Sequence, residues 1–165
     1  EQDGFEIFIG DQGNQRFWEE LYIQLGSGVD ILIDDGSHLS YSQVATVKAA
    51  CNGFVRSGGI VIIEDTHTSY IKRFSGFNSN SFLKLVQEII ECMHARSPRL
   101  RSSPRNTISK IKPDNIFMNN VDSINIYESI FAFKIVKDLK VSKELKSLVG
   151  TDKPIQDLRR NSSKW

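Results

Sequence analysis

The stretch VDILIDDGSH (Val29–His38) decides the fold, and GGIVIIEDTHTSY (Gly58–Tyr70) repeats its plan. Each is an apolar run that ends in an acidic pair, with a histidine just beyond it. Apolar side chains at consecutive positions, as in ILI and IVII, predict strands of a parallel sheet that expect cover on both faces. In an open parallel sheet, ligands bind outside the carboxyl ends of the strands. Asp34, Asp35, Glu64 and Asp65 all sit at such ends.

Outward from these two strands the pattern alternates. FEIFIG (Phe5–Gly10) reads as a short strand. NQRFWEELYIQL (Asn14–Leu25) sets Phe17, Trp18, Leu21, Tyr22 and Leu25 on one helical face, and GSG (Gly26–Gly28) stops it. SYSQVATVKAACNGFV (Ser40–Val55) and SNSFLKLVQEIIECMH (Ser79–His94) read as helices, the second capped by Ser79 or Ser81. INIYESIFAFKIV (Ile124–Val136) reads as a hairpin. The order β-α-β-α-β-α-β-β predicts an α/β fold, mostly parallel, with an antiparallel C-terminal hairpin. RSPRLRSSPR (Arg96–Arg105) and the charged tail 137–165 read as irregular.

Composition narrows the function. The chain has 165 residues, 39% of them hydrophobic and 25% charged, which suits one folded domain. A net charge of +1 argues against a chain built to grip nucleic acid. The arginine-rich segment lacks the interleaved aromatics of a single-strand binder. No apolar run is long enough to span a membrane, and no signal peptide is visible, so a cytoplasmic protein is expected. Cys51 and Cys92 have no metal-type spacing and are expected as buried free thiols.

Neighbouring strands lie ~4.8 Å apart, so adjacent strand ends would bring the carboxylates together. Like charges that close repel, and a bound cation relieves them. Oxygen ligands with room for water suit Mg²⁺ or Mn²⁺ better than zinc. His38, three residues after Asp35 through a glycine turn, can take a proton beside such a cation. The plainer reading is that acidic residues after strands cap helices or face water. Two such pairs, each followed by a histidine, weigh against it. His67 reads as a second-layer or substrate-facing residue, or as none, and His94 as a helix C-terminal cap.

Together GDQGNQRFW, DILIDDGSH, GGIVIIEDTHTSY and NSFLKLVQEII resemble the metal-dependent macrolide-sugar O-methyltransferases, which are class I S-adenosylmethionine-dependent enzymes. The resemblance covers residues 5–136. It implies a Rossmann-like sheet with strand order 3-2-1-4-5-7-6. It implies Asp35, Glu64 and Asp65 as Mg²⁺ ligands and His38 as general base. It sets Asp11 and Gln12 beside the adenine of S-adenosylmethionine and Asp34 near its methionine part. Tyr70 and Asn78 would border a small-molecule or glycan acceptor whose hydroxyl displaces the sulfonium methyl.

The chain departs from the family at its start, where the glycine-rich cofactor loop and the acidic end of the second strand have no counterpart. In family terms, residues 1–136 form a partial domain, strands 3 to 7, followed by the tail 137–165. Right-handed crossovers then put the remaining helices on one face. The other face of ILI and IVII would be bare and an edge unpaired. One of three outcomes is expected: a preceding part of a longer protein covers them, FEIFIG pairs directly with VDILI, or two copies pack face to face as a homo-oligomer. An alternative to the enzyme is a truncated or degenerate module that binds metal, sugar or partner without catalysis.

Overall fold

The computed structural model describes residues 4–75, 81–97, 110–112 and 114–139. Helix α1 (Gln15–Leu25) leads into β1 (Val29–Asp34) and α2 (Ser40–Ala49). A wide helical turn, Ala50–Phe54, opens into β2 (Val55–Ile63). A 3₁₀ turn (Thr66–Tyr70), the short α3 (Lys72–Ser75) and α4 (Phe82–His94) follow. The short α5 (Ile116–Asn120) precedes the hairpin β3 (Val121–Tyr127) and β4 (Ile130–Ile135).

Local chemistry sets the helix ends. The Asn14 side chain accepts from the Arg16 N–H at the start of α1, and Ser81 does the same for Lys84 at the start of α4. At the end of α1, Gly26 turns left-handed (φ 69°) and its N–H returns to the Tyr22 and Ile23 carbonyls. β2 begins before the apolar run IVII, so that Gly58 and Gly59 lie inside the strand. A side chain at Gly59 would stand 2.6 Å from the Asp30 carbonyl oxygen, so glycine lets β1 approach there.

The sheet order is β1-β2-β4-β3, the 4-5-7-6 part of the expected order. β1 and β2 are parallel, with Ile31 opposite Ile60, Leu32 opposite Val61 and Ile33 opposite Ile62. β4 is antiparallel to both β2 and β3. This register sorts the side chains. Val61, Ile63, Phe133 and Ile135 form one face and are buried under Val47 of α2 and Phe82, Leu85, Val86 and Ile89 of α4. Phe82 meets Phe131 edge-on with ring centroids 5.4 Å apart. Trp18 of α1 meets Phe54 in the same way at 5.0 Å.

Among the described residues, the opposite face is open at β1. Ile31 and Ile33 are 62% and 56% exposed, and no described strand pairs with the outer edge of β1. FEIFIG is corrected: Phe5–Gly10 forms no strand, and Ile9 is 96% exposed. Its neighbour in the expected order is strand 2, which has no counterpart here. Instead Ile7, Phe8 and Ile9 lie beside Phe17 and Leu21 of α1. The outcome in which this segment completes the sheet against β1 is therefore overturned. The segment 98–105, Asn78, Ser79 and the tail from 140 lie outside the described residues. Arg96, at the start of the arginine-rich stretch, donates to the Met118, Val121 and Asp122 carbonyls and secures the hairpin. No helix among the described residues is long and apolar enough to cross a membrane.

Both cysteines are buried free thiols. Burial pushes the Cys51 thiol from 9.0 up to about 12. Burial, then the Glu88 and Glu91 carboxylates, push the Cys92 thiol up to about 11. The unfolded chain ionises these thiols first. Their effect on stability is therefore nil below about pH 9 and increasingly unfavourable from there towards the folded values. Urea melts at about pH 8 and about pH 10.5 should show a smaller alkaline loss in Cys51→Ala than in the unmodified chain. The bare face makes a second prediction. The folded chain should bind anilinonaphthalene sulfonate, and Ile31→Thr with Ile33→Thr should cut the fluorescence severalfold. Each substitution should change stability by less than about 1 kcal/mol. Unchanged fluorescence would mean that the dye binds elsewhere.

Candidate metal centre at the strand ends

The parallel ladder continues one step past the strands: the Glu64 N–H donates to the Asp34 carbonyl at 3.0 Å. The two acidic pairs are therefore held side by side. Asp34 is buried. Its Oδ1 accepts from the Gly36 N–H at 3.2 Å, an Asx turn that redirects the chain. Gly36 permits a close approach, since a side chain there would meet Gln12 Oε1 at 2.3 Å. Past this turn His38 adopts a left-handed backbone (φ 55°), and Asp65 does the same after β2 (φ 51°).

These turns bring three groups together. His38 Nε2 lies 3.5 Å from Asp65 Oδ2 and 4.0 Å from Asp35 Oδ1. One ligand atom from each of Asp35, His38 and Asp65 falls within 4.8 Å of the others. Asp35 and Asp65 were expected as ligands and His38 as the base beside them. Glu64 is half-buried, and its carboxylate is not part of this cluster. Its backbone is clamped instead: the N–H goes to Asp34, and the carbonyl accepts from Gln43 Nε2 at 3.0 Å.

Of the residues expected to border the cofactor, Gln12 is the most engaged. Its Nε2 donates to Thr46 Oγ1 at 3.0 Å and its Oε1 accepts from the Ser37 N–H at 3.4 Å, while its carbonyl accepts from Trp18 Nε1. Gln12 thus ties the segment before α1 to α2 and to the loop after β1. Asp11 is exposed, and its Oδ1 accepts from the Gly13 N–H. Tyr70 is exposed at the end of the 3₁₀ turn.

Three further residues belong to this end of the sheet. Thr68 is buried, and its hydroxyl lies 2.9 Å from the His38 carbonyl and 2.8 Å from the Asp65 carbonyl, so its one proton bridges the two loops. Gln43 fixes Glu64 from the first turn of α2. Ser129, at the hairpin tip, lies 2.6 Å from His67 Nδ1. Threonine, glutamine and serine at such positions carry no sequence pattern, and only the fold makes them neighbours.

Five buried polar atoms among the described residues have no partner: Asp34 Oδ2, His38 Nδ1, Ser40 Oγ, Gln43 Oε1 and Ser69 Oγ. Asp34 ends β1, and the other four lie in the segments that follow β1 and β2. Buried polar groups are normally satisfied, by protein, water or ligand, so their concentration here marks a site built to receive polar groups. The carboxylate pair with an imidazole beside it is a donor set that fits a hard divalent cation. A separate groove of about 750 Å³ runs between α1 and α2, lined by Trp18, Tyr22, Tyr41, Val44 and Lys48. None of the three clustered residues lines it.

No protein-family model matches the chain. Over 126 residues it is 29% identical to mycinamicin VI 2''-O-methyltransferase of Micromonospora griseorubida, covering 73% of this chain and 29% of that protein. Over 76 residues it is 38% identical to demethylmacrocin O-methyltransferase of Streptomyces fradiae, covering 46% and 19%. The MycE methyltransferase of mycinamycin biosynthesis, solved with Mg and SAH, superposes with a TM-score of 0.64 at 25% identity, covering 80% of this chain and 33% of that one. The chain thus spans less than a third of the length of these curated relatives. In sequence and in fold it is similar to the macrolide sugar O-methyltransferases, so the resemblance drawn from the strand-end motifs is borne out.

The Thr68 bridge makes its own prediction. Thr68→Val keeps the shape and removes the shared proton, and should cost about 1–2 kcal/mol in a urea melt. A cost near zero would mean that the two loops hold their places without it.

Proposed function

We propose that this chain is the catalytic part of an S-adenosylmethionine- and Mg²⁺-dependent O-methyltransferase acting on a sugar hydroxyl of a glycoside or polysaccharide. The observation that carries the reading is the Asp35–His38–Asp65 cluster at paired strand ends, with unpartnered buried polar atoms in the same stretches of chain. The named activities of its relatives supply the reaction class. Residues 1–136 would be the domain portion and 137–165 an appended tail, in a cytoplasmic and homo-oligomeric protein.

Asp35 and Asp65 would hold the cation, with Glu64 the third ligand by family resemblance. His38 takes the proton of the acceptor hydroxyl. Asp34, Asp11 and Gln12 would border the cofactor. Mg²⁺ supplies charge to steady an alkoxide, and S-adenosylmethionine supplies the methyl group. The fixed loops contribute alignment, because a hydroxyl held in line needs little further ordering.

A second reading is a truncated or degenerate module that binds a metal, sugar or partner through the same strand-end cluster without catalysis. Both readings require the cation site, and a Mn²⁺ titration by calorimetry tests it. We expect one site, weakened at least about tenfold in Asp35→Asn and in Asp65→Asn. Equal loss in Glu64→Gln would make Glu64 the third ligand. Loss in His38→Ala with none in Glu64→Gln would give that place to His38. An unmodified chain that binds no Mn²⁺ would overturn the cation site. Methyl transfer to a deoxysugar glycoside by a protein containing this chain, abolished by His38→Ala, separates enzyme from module.

A further inference from the structure

Four residues other than glycine take a left-handed backbone in the described chain, and three of them lie at this end of the sheet: His38, Asp65 and Ser129 (φ 63°). Such a backbone is costly for a residue with a side chain, and costly conformations gather where a site over-determines them. Ser129 is the second residue of the two-residue turn between β3 and β4, a place where glycine or asparagine is the usual choice. Serine there retains a hydroxyl at the expense of the backbone.

That hydroxyl is in use. Ser129 Oγ lies 2.6 Å from His67 Nδ1, and the same nitrogen lies 3.8 Å from Asp65 Oδ1. The Ser129 carbonyl accepts from the Thr66 N–H at 3.0 Å, so the hairpin tip holds the loop after β2 at Thr66, between Asp65 and His67, and at His67 itself. Asp65 is thereby flanked by two imidazoles: His38 on Oδ2 at 3.5 Å and His67 on Oδ1.

We propose that Ser129 is a positioning residue, which fixes the His67 ring and through it the Asp65 carboxylate, and that His67 is the second imidazole of the site. The His67 part stands on contacts within the chain. The Asp65 part rests on the cation-site reading above. Groups that orient a ligating carboxylate usually carry a measurable share of metal affinity. With Nδ1 held, Nε2 is the His67 nitrogen left to meet an acceptor or its bound water.

The test compares Ser129→Gly, which removes the hydroxyl and relieves the backbone, with Ser129→Ala, which removes the hydroxyl alone. Melting temperature, His67 ring-nitrogen NMR shifts in metal-free protein and Mn²⁺ affinity are measured on each. We expect the glycine variant to melt no lower than the unmodified chain and the alanine variant to melt lower. In both, the His67 shifts should move from a single fixed tautomer towards an averaged pattern, and Mn²⁺ should bind about tenfold more weakly. Unchanged His67 shifts in both variants would reduce Ser129 to a turn residue and overturn the proposal. Moved shifts with unchanged Mn²⁺ affinity would overturn its reach to Asp65. If the unmodified chain binds no Mn²⁺, the cation-site reading fails and the Asp65 part falls with it, while the nitrogen shifts still decide whether Ser129 positions His67.

Discussion

The parallel pairing of β1 with β2, carried one step further by the Glu64 N–H on the Asp34 carbonyl, is the constraint from which the rest follows. It fixes which residues of the two strands lie opposite each other. It therefore fixes that both acidic pairs leave the sheet at the same level. A shift of one residue in β2 would send Val61 and Ile63 to the open face and separate Asp35 from Asp65. Burial of Val61 and Ile63 beneath α2 and α4 thus holds the chemistry in place from a distance.

The glycines and left-handed turns at the strand ends convert that alignment into convergence. Gly36 makes room for Gln12, and His38 and Asp65 turn their side chains back towards each other. The hairpin adds a third wall. Its tip returns to the loop after β2, so segments 62 residues apart in sequence meet at His67 and Ser129. The centre is therefore assembled from the β1 end, the β2 end and the last two strands, all on a sheet whose core lies on one side.

Much of this was legible in the sequence because it was written in local patterns. Consecutive apolar residues marked β1 and β2, helical spacing marked α1, α2 and α4, and the acidic pairs with their histidines marked the site. Phe5–Gly10 was misread because alternation signals the capacity to be a strand, whereas being one needs a partner edge, and its partner in that order is missing. β2 was read too short because Gly58–Gly59 signal a break unless a neighbouring backbone is known to press against them. Thr68, Gln43 and Ser129 were invisible because their roles are contacts across 21 to 62 residues of chain. The distinction between Glu64 and His38 beside Asp35 depends on side-chain direction, which spacing alone does not encode.

β1 carries two exposed isoleucines, Ile31 and Ile33, two residues apart, and two residues further on, just past its end, lies Asp35 of the candidate metal centre. Alternate residues of a strand share a side, so Asp35 continues the line of the bare face where the strand gives way to the loop. Any molecule that settles against Ile31 and Ile33 therefore borders the carboxylate proposed to hold the cation. Where two such binding events favour the same arrangement of β1, thermodynamic linkage makes the coupling reciprocal. Covering the sheet would tighten the cation by the same factor by which the cation tightens the cover.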